Sequence, residues 1–303
     1  MKHSILIIDD EPIQADNLQK ALSKERVNCF FSTATSEREM LQKVENMYFN
    51  IAVVDLRMDN FKIDGFDLIS KMLAVNPFVQ VIIVSAYLPD YNEKLLEVAK
   101  TGRIKAVLDK PTANYALYVE KLLKNIDEIT NEFDKNASAN EKALESLYAE
   151  AKNITDFYQK GYKFEQFVIF LFGQMGFTHI QRRVIDQSRN EVDLIIRNEI
   201  KDGFLQKFKP YILVECKNEQ EKVDKNQFVQ FFDKLKNTGG MSNLGVLISS
   251  NAMKDTTYKE AMRKSSEEIK VVFISNIEIG RLIKARNILE EFKLIIDEQV
   301  KDN

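Results

Sequence analysis

The stretch Tyr211-Ile-Leu-Val-Glu-Cys-Lys217 opens with largely apolar residues, as a buried strand does, and closes on a carboxylate and an amine two positions apart. Residues i and i+2 of a strand share a face. Glu215 and Lys217 therefore project side by side from a rigid element, and Cys216 faces the other way. Two such groups at a buried strand end either pair as a salt bridge or hold an ion between them. A second strand reading, Glu191-Val-Asp-Leu-Ile-Ile196, lies upstream and delivers Asp193, 22 positions before Glu215. Lys201-Asp-Gly203 between the two reads as a hairpin turn, which makes the strands neighbours. Asp193 then stands beside Glu215 and Lys217. Two carboxylates form a hard oxygen site suited to Mg²⁺ or Mn²⁺, and an adjacent lysine can position or polarise a water.

An Asp followed about twenty residues later by Glu-x-Lys resembles the PD-(D/E)xK nuclease superfamily, with the best fit to its Mrr-type, restriction-endonuclease-like branch. The context extends the resemblance. Upstream, Gly161-Tyr-Lys-Phe-Glu-Gln-Phe-Val-Ile-Phe-Leu-Phe172 and then Met175-Gly-Phe177 are similar to the first helix of those domains. Downstream, Asn226-Gln-Phe-Val-Gln-Phe-Phe-Asp-Lys-Leu235 fits the following helix and Leu244-Gly-Val-Leu-Ile-Ser249 the next strand. The resemblance covers roughly residues 160–275. It implies an α/β restriction-endonuclease-like core with the order helix, three strands, helix, strand. It also implies that Asp193 and Glu215 bind metal with the backbone carbonyl of Cys216, that Lys217 aligns the attacking water, and that Glu165 supports the metal site. The proline that commonly precedes the first Asp of the motif is absent.

The chain has 303 residues, enough for two domains, and 45% hydrophobic residues, so each half can bury a core. Its two cysteines, Cys29 and Cys216, are far apart and argue against a disulfide framework or a zinc site. Two histidines, His3 and His179, leave little room for histidine chemistry. The apolar run Ile5 to Ile8 is too short for a signal peptide or a membrane span, so a soluble cytoplasmic protein is expected. Net charge is −3; residues 161–303 hold 23 basic and 21 acidic side chains. Arg182, Arg183 and Arg189 form either a local phosphate-facing rim or an ordinary solvated face.

The N-terminal half alternates strands and helices. Ser4–Ile8 reads as a strand ending in Asp9-Asp-Glu-Pro12, with helical spacing at Ile13, Leu18, Ala21 and Leu22. Val27–Ser32 reads as a second strand, and Ser36-Glu-Arg-Glu39 as a capping box opening a helix. Ile51–Asp55, Val79–Ser85 and Ile104–Leu108 read as three more strands, with a helix beginning at Gly65. Five alternations predict a doubly wound five-stranded parallel sheet. In such sheets functional residues gather at the carboxyl ends of strands. Those ends hold Asp9, Asp10, Asp55, Ser85 and Lys110: three acids that repel one another unless a cation sits among them, one hydroxyl and one lysine.

This constellation resembles the flavodoxin-like receiver domain of bacterial response regulators, over residues 1–125. The resemblance implies that Asp55 is the phosphoacceptor and that Asp9 and Asp10 hold Mg²⁺, with Asp10, Asp55 and the carbonyl of Arg57 as direct ligands. It implies that Ser85 binds a phosphoryl oxygen and that Lys110, before Pro111, pairs with the phosphoryl charge. A sensor histidine kinase or phosphotransfer protein is the implied partner. Two departures stand out: Asp59 lies where proline is common, and Val107 takes the position of the usual aromatic switch.

Between the halves, residues 113–160 lack Pro and Gly and favour helix. A heptad frame places Ile126, Phe133, Asn140, Leu147 and Ile154 at d and Thr130, Ala137, Leu144, Ala151 and Tyr158 at a. That suits a homodimeric coiled coil; alternatively Ser138-Ala-Asn-Glu141 caps a second helix and each helix packs on its own domain. The tail from Ile277 is helical, with an apolar stripe at Leu282, Leu289, Phe292 and Ile296. The chain thus divides into a receiver domain (1–125), a helical connector (126–160), a nuclease-like domain (161–275) and a C-terminal helix (276–303). Three functions compete: a response regulator with a metal-dependent nuclease output acting on nucleic acid, DNA first; a nucleic-acid binder that does not cut; and a scaffold whose assembly the receiver controls.

Overall fold

The computed structural model describes residues 3–301 except 28, 60, 77, 87–90, 111–113, 136, 186–190 and 265–267. The chain divides into two compact units, Met1–Asn136 and Ala137–Asn303.

The first unit runs β1 (His3–Ile8), α1 (Pro12–Glu25), β2 (Cys29–Ala34), α2 (Glu37–Asn46), β3 (Ile51–Asp55), α3 (Gly65–Val75), β4 (Gln80–Ser85), α4 (Asn92–Ala99), β5 (Ile104–Asp109) and α5 (Tyr115–Lys135). Its five strands are all parallel, in the order β2-β1-β3-β4-β5. The three central strands are buried on both faces, which is why they read as unbroken apolar runs. One face packs on α2 and α3 through Leu6, Val54, Met40 and Leu68; the other packs on α1 and α5 through Ile7, Val53, Leu22 and Leu122. Edge strand β5 instead alternates half-buried and exposed residues. Pro12 starts α1, but Ile13 is 75% exposed and Ala15, Leu18 and Leu22 carry the buried stripe. The second strand begins two residues later than its composition suggests, leaving Val27 exposed. Ser36 Oγ accepts from the Glu39 amide, while the Glu39 carboxylate reaches the Thr35 amide rather than that of Ser36. Gly65 is required by close approach: a Cβ there would lie 2.2 Å from the Asp55 carbonyl oxygen.

The second unit runs α6 (Ala137–Asn153), α7 (Phe157–Gln174), β6 (Ile180–Ile185), β7 (Glu191–Arg197), β8 (Tyr211–Lys217), α8 (Lys225–Lys236), β9 (Ser242–Ser249), α9 (Asp255–Arg263), β10 (Lys270–Ile274), α10 (Asn276–Lys284) and α11 (Ile288–Lys301). Its sheet has the order β10-β9-β8-β7-β6. β6, β7 and β8 are antiparallel neighbours; β8, β9 and β10 are parallel. The order α7, three strands, α8, β9 is the one the resemblance implied. Phe164, Phe167 and Phe172 of α7 and Phe228, Phe231 and Phe232 of α8 are all buried.

Two local expectations are corrected, and a third is decided between its alternatives. No hairpin turn forms at Lys201–Gly203; the β7–β8 connection is a loop with a 3-10 turn at Leu205–Lys207. There the Asp202 carboxylate accepts from the Phe204 and Leu205 amides and pairs with Lys293 at 2.9 Å. The tail is two helices rather than one, broken after Lys284. The heptad residues divide between the two units, as in the reading of two helices that each pack on their own domain. Ile126 and Phe133 pack on the first sheet as part of α5, whereas Leu144, Leu147 and Ala151 of α6 are buried in the second unit, where α6 packs on α7. Asn136 and the side chain of Ser138 lie outside the described residues. Among the described residues no helix is long and apolar enough to cross a membrane.

Candidate functional sites

The first site forms where β1, β3, β4 and β5 end. Parallel strands place their carboxyl ends on one rim, so Asp9, Asp55, Ser85 and Lys110 converge from four separate segments. One ligand oxygen from each of Asp9, Asp10 and Asp55 lies within 4.8 Å of the others. Lys110 Nζ donates to Asp9 at 2.7 Å and to Asp55 at 2.6 Å. Asp9 also accepts from the Glu11 amide, and Asp10 from the Asp59 amide. Arg57 turns its guanidinium to Asp59 and donates its amide to Asp55 at 3.3 Å. Ser85 is fully buried, and its carbonyl accepts from the Lys110 amide at 3.0 Å. Burial pushes the Asp55 carboxyl above its ordinary value and Asp9 adds to this, with Lys110 opposing both. Burial works against the Lys110 charge, but Asp55 and Asp9 outweigh it and hold the ammonium above its ordinary value. Three clustered carboxylates, two of them bridged by one ammonium, form a hard oxygen set that fits a divalent cation.

The second site forms at the ends of β7 and β8. Their antiparallel register pairs Leu194 with Val214, so Asp193 falls opposite Glu215 one step further on. The Cys216 amide donates to Asp193 at 2.7 Å, and Lys217 Nζ donates to Glu215 at 3.0 Å. Glu215 is 6% exposed. Burial, and then the Glu215 charge, push the Asp193 carboxyl up to about 6. Burial opposes the Lys217 charge, but Glu215 and Asp193 raise the ammonium above its ordinary value. The Cys216 thiol is pushed well above its range by burial and then by Asp193 and Glu165, so it stays protonated.

Glu165, on α7, is buried and accepts from Arg182 at 2.7 and 3.3 Å. Its charge still reaches Asp193 and Cys216. Arg182 is therefore no exposed phosphate rim: it is 5% exposed and stacks over the Tyr162 ring at 4.5 Å. The side chain of Arg183, and all of Arg189, lie outside the described residues.

Two family models match the chain. Residues 5–120 match the response regulator receiver domain, and residues 159–283 match a restriction endonuclease model. The chain joins a receiver domain to a restriction-endonuclease domain. The transcriptional regulatory protein ZraR of Escherichia coli K12 is 30% identical over 130 residues, covering 42% of this chain and 28% of that protein. The transcriptional regulatory protein YesN of Bacillus subtilis 168 is 28% identical over 156 residues, 51% of this chain and 39% of that one. The chain thus spans well under half the length of these curated relatives. A CheY-like receiver domain protein from Methanospirillum hungatei superposes with a TM-score of 0.36 at 26% identity, over 44% of this chain and 99% of that one.

In the endonuclease domain one residue at the site escaped the sequence reading. Lys234, on α8, donates to both oxygens of Glu215 at 2.9 and 3.1 Å. Nothing in strand periodicity points to it; its position is set by how α8 lies on the sheet. In the receiver, Val107 is 41% exposed on the outer face of β5, where an aromatic switch residue would stand.

Proposed function

We propose that the chain is a response regulator whose output is a metal-dependent nuclease, hydrolysing phosphodiester bonds of nucleic acid, DNA first, under control of Asp55 phosphorylation. The observation that carries the reading is the register of β7 and β8, which sets Asp193 against Glu215 with Lys217 on the same face.

In the receiver, a carboxylate oxygen of Asp55 would attack the phosphorus of a phosphohistidine on a sensor kinase or phosphotransfer protein. The P–N bond breaks and the imidazole leaves. Lys110, already 2.6 Å from Asp55, is placed to neutralise the transferred group, and buried Ser85 to hydrogen-bond it. Asp9 and Asp10, with the Arg57 carbonyl, would hold Mg²⁺. The phosphoryl group adds about −1.5 to −2 charges.

In the endonuclease domain, Asp193, Glu215 and the Cys216 carbonyl form an oxygen donor set that fits Mg²⁺ or Mn²⁺. An ion bound there would polarise the scissile phosphoryl group. Lys217 would orient the attacking water, and Glu165, fixed by Arg182, would shape the field around Asp193.

The test incubates wild type, Glu215→Gln, Lys217→Ala and Asp55→Asn with DNA and RNA pools, Mg²⁺ or Mn²⁺, and with or without acetyl phosphate. The first two variants lose cleavage by about 10²–10⁴-fold. Acetyl phosphate changes the wild-type rate by about 5–150-fold and leaves Asp55→Asn unmoved. Full activity of both Glu215→Gln and Lys217→Ala sinks the nuclease assignment. Metal-independent binding without cleavage would favour a phosphorylation-controlled nucleic-acid binder or assembly protein.

A further inference from the structure

We propose that Lys234 is a positioning residue of the cleavage site: a built-in counter-ion that occupies Glu215 and competes with a divalent cation for it. The inference rests on the nuclease reading above and deepens it.

Its approach to Glu215 is built into the fold. α8 starts at a capping box between Asp224 and Gln227, so its first turn is fixed. Phe228, Phe231, Phe232 and Leu235 bury one face of α8 on the sheet. Gly245 of β9 lets that face come close: a Cβ at 245 would lie 2.4 Å from Leu235 Cδ1 and 2.9 Å from Phe231 Cε1. β9 is the parallel neighbour of β8, with Leu247 beside Glu215. A helix held this low over β8 and β9 carries Lys234 to Glu215.

The contact has the geometry of a substitute for a metal ion. One ammonium spans both Glu215 oxygens, at 2.9 and 3.1 Å, while Lys217 takes one of them at 3.0 Å. A cation binding Glu215 through both oxygens would need the position Lys234 holds. Two positive groups a few ångströms apart on one carboxylate repel strongly in a partly dry site. The ammonium has somewhere to go: the Lys234 side chain is 21% exposed and hangs on a flexible four-carbon stem. Ion binding and Lys234 release are therefore linked, and linkage is reciprocal. In the metal-free protein Lys234 offsets the crowding of Glu215 against Asp193; its displacement sets the ion concentration at which the site loads.

A purely structural ion pair between α8 and β8 makes a different forecast. It would stabilise metal-free and loaded protein alike and leave ion affinity unchanged.

The experiment uses the full chain with Asp10→Asn, which removes the receiver's acidic cluster as a competing site, and titrates Mn²⁺ by calorimetry. Lys234→Met binds Mn²⁺ at least about fivefold more tightly than its parent. It also melts earlier in EDTA, and the gap between its metal-free and loaded melting temperatures widens. Lys234→Gln repeats the affinity gain, and covers the case of a misfolded Met variant. Lys234→Arg, which keeps the charge, stays near the parent. Unchanged or weaker Mn²⁺ binding in both neutral variants overturns the inference. Glu215→Gln separates the two levels. If it abolishes Mn²⁺ binding while the neutral Lys234 variants match the parent, only the role of Lys234 falls. If Glu215→Gln binds Mn²⁺ as the parent does, the nuclease reading falls and the inference with it.

Discussion

At the receiver site one lysine bridges two of three clustered carboxylates; at the endonuclease-domain site two lysines converge on one carboxylate. Both sites crowd acids at strand ends, and both raise a carboxyl above its ordinary value, Asp55 in one and Asp193 in the other. What differs is the charge left over. Lys110 cannot neutralise Asp9, Asp10 and Asp55 together, so the receiver rim retains negative charge that attracts a cation. Lys217 and Lys234 balance Glu215 and Asp193, and Arg182 balances Glu165. The first site is electrostatically open and the second, with its charges paired, electrostatically closed. The two sites are thus built from the same kinds of side chain in inverted proportion.

The strongest way to break the comparison is Lys110→Met. Lys110 is 16% exposed and bridges two buried carboxylates, so its loss leaves both without their ammonium. Removing one partner of a buried ion pair costs about 3–5 kcal/mol. Urea melts in EDTA should show a loss of that order in the receiver transition, and millimolar Mg²⁺ should restore part of it. A variant as stable as wild type in EDTA would mean that the rim carries no unbalanced charge.

How much of this was legible depended on whether position follows from strand geometry. Asp9, Asp55, Ser85 and Lys110 sit at or just beyond strand ends, and parallel topology alone carries such residues to one rim. Asp193, Glu215 and Lys217 follow from period-two alternation once their strands are neighbours. That neighbour relation survives although the expected turn at Lys201–Gly203 does not form; the long loop, with Asp202 tying it down, delivers the same register. Lys234 and the partner of Glu165 were illegible, because a helix side chain reaches a strand only through tertiary docking. Arg182 read as a surface base because a strand arginine is normally solvated; the pairing that buries it is with a helix 17 residues upstream. The heptad frame over 126–158 had a simpler ambiguity. An amphipathic helix face packs on its own sheet or on a second copy with nearly the same spacing, and in this chain Ile126 and Leu144 are used at home.

A middle-sized test addresses the carboxyl that the two lysines leave aside. Asp193 titrates at about 6 in the folded protein, against about 3.9 in an unfolded chain. The native state therefore binds the proton more tightly. The stability this contributes is complete below pH 4 and is lost as pH rises through 6. Asp193→Asn removes the titration and can keep the amide bond from Cys216. In EDTA it should gain stability relative to wild type between pH 4 and pH 8 by roughly 3 kcal/mol. Equal differences at both pH values would show that Asp193 is solvated well enough to ionise as freely as in the unfolded chain.

The smallest expected effect concerns the proposed control of the second site by Asp55 phosphorylation. Asn218, next to Lys217, donates its side-chain amide to the Ala151 carbonyl of α6 and to the Lys160 carbonyl of α7, both at 2.9 Å. Its Oδ1 is buried without a hydrogen-bond partner among the described residues. A second tie runs through Tyr148 of α6, whose hydroxyl donates to the Ser250 carbonyl at 3.3 Å, while the Ser250 amide donates to the Lys217 carbonyl at 3.0 Å. Lys217 is thus held between two attachments to α6, and α6 is the first element of its unit in sequence, after the receiver's α5. A displacement of α6 would reach the Lys217 backbone through two hydrogen-bonded steps. Asn218→Ala removes one tie. Two hydrogen bonds of about 0.5–1.5 kcal/mol are lost, but the unpaired carbonyl oxygen goes with them, so the net stability change is small. The coupling should suffer more: the acetyl-phosphate response should shrink by about 0.5–2 kcal/mol. The measurement is the ratio of cleavage rates with and without acetyl phosphate, compared between Asn218→Ala and wild type at matched Asp55 labelling. An unchanged ratio would remove α6 from the route.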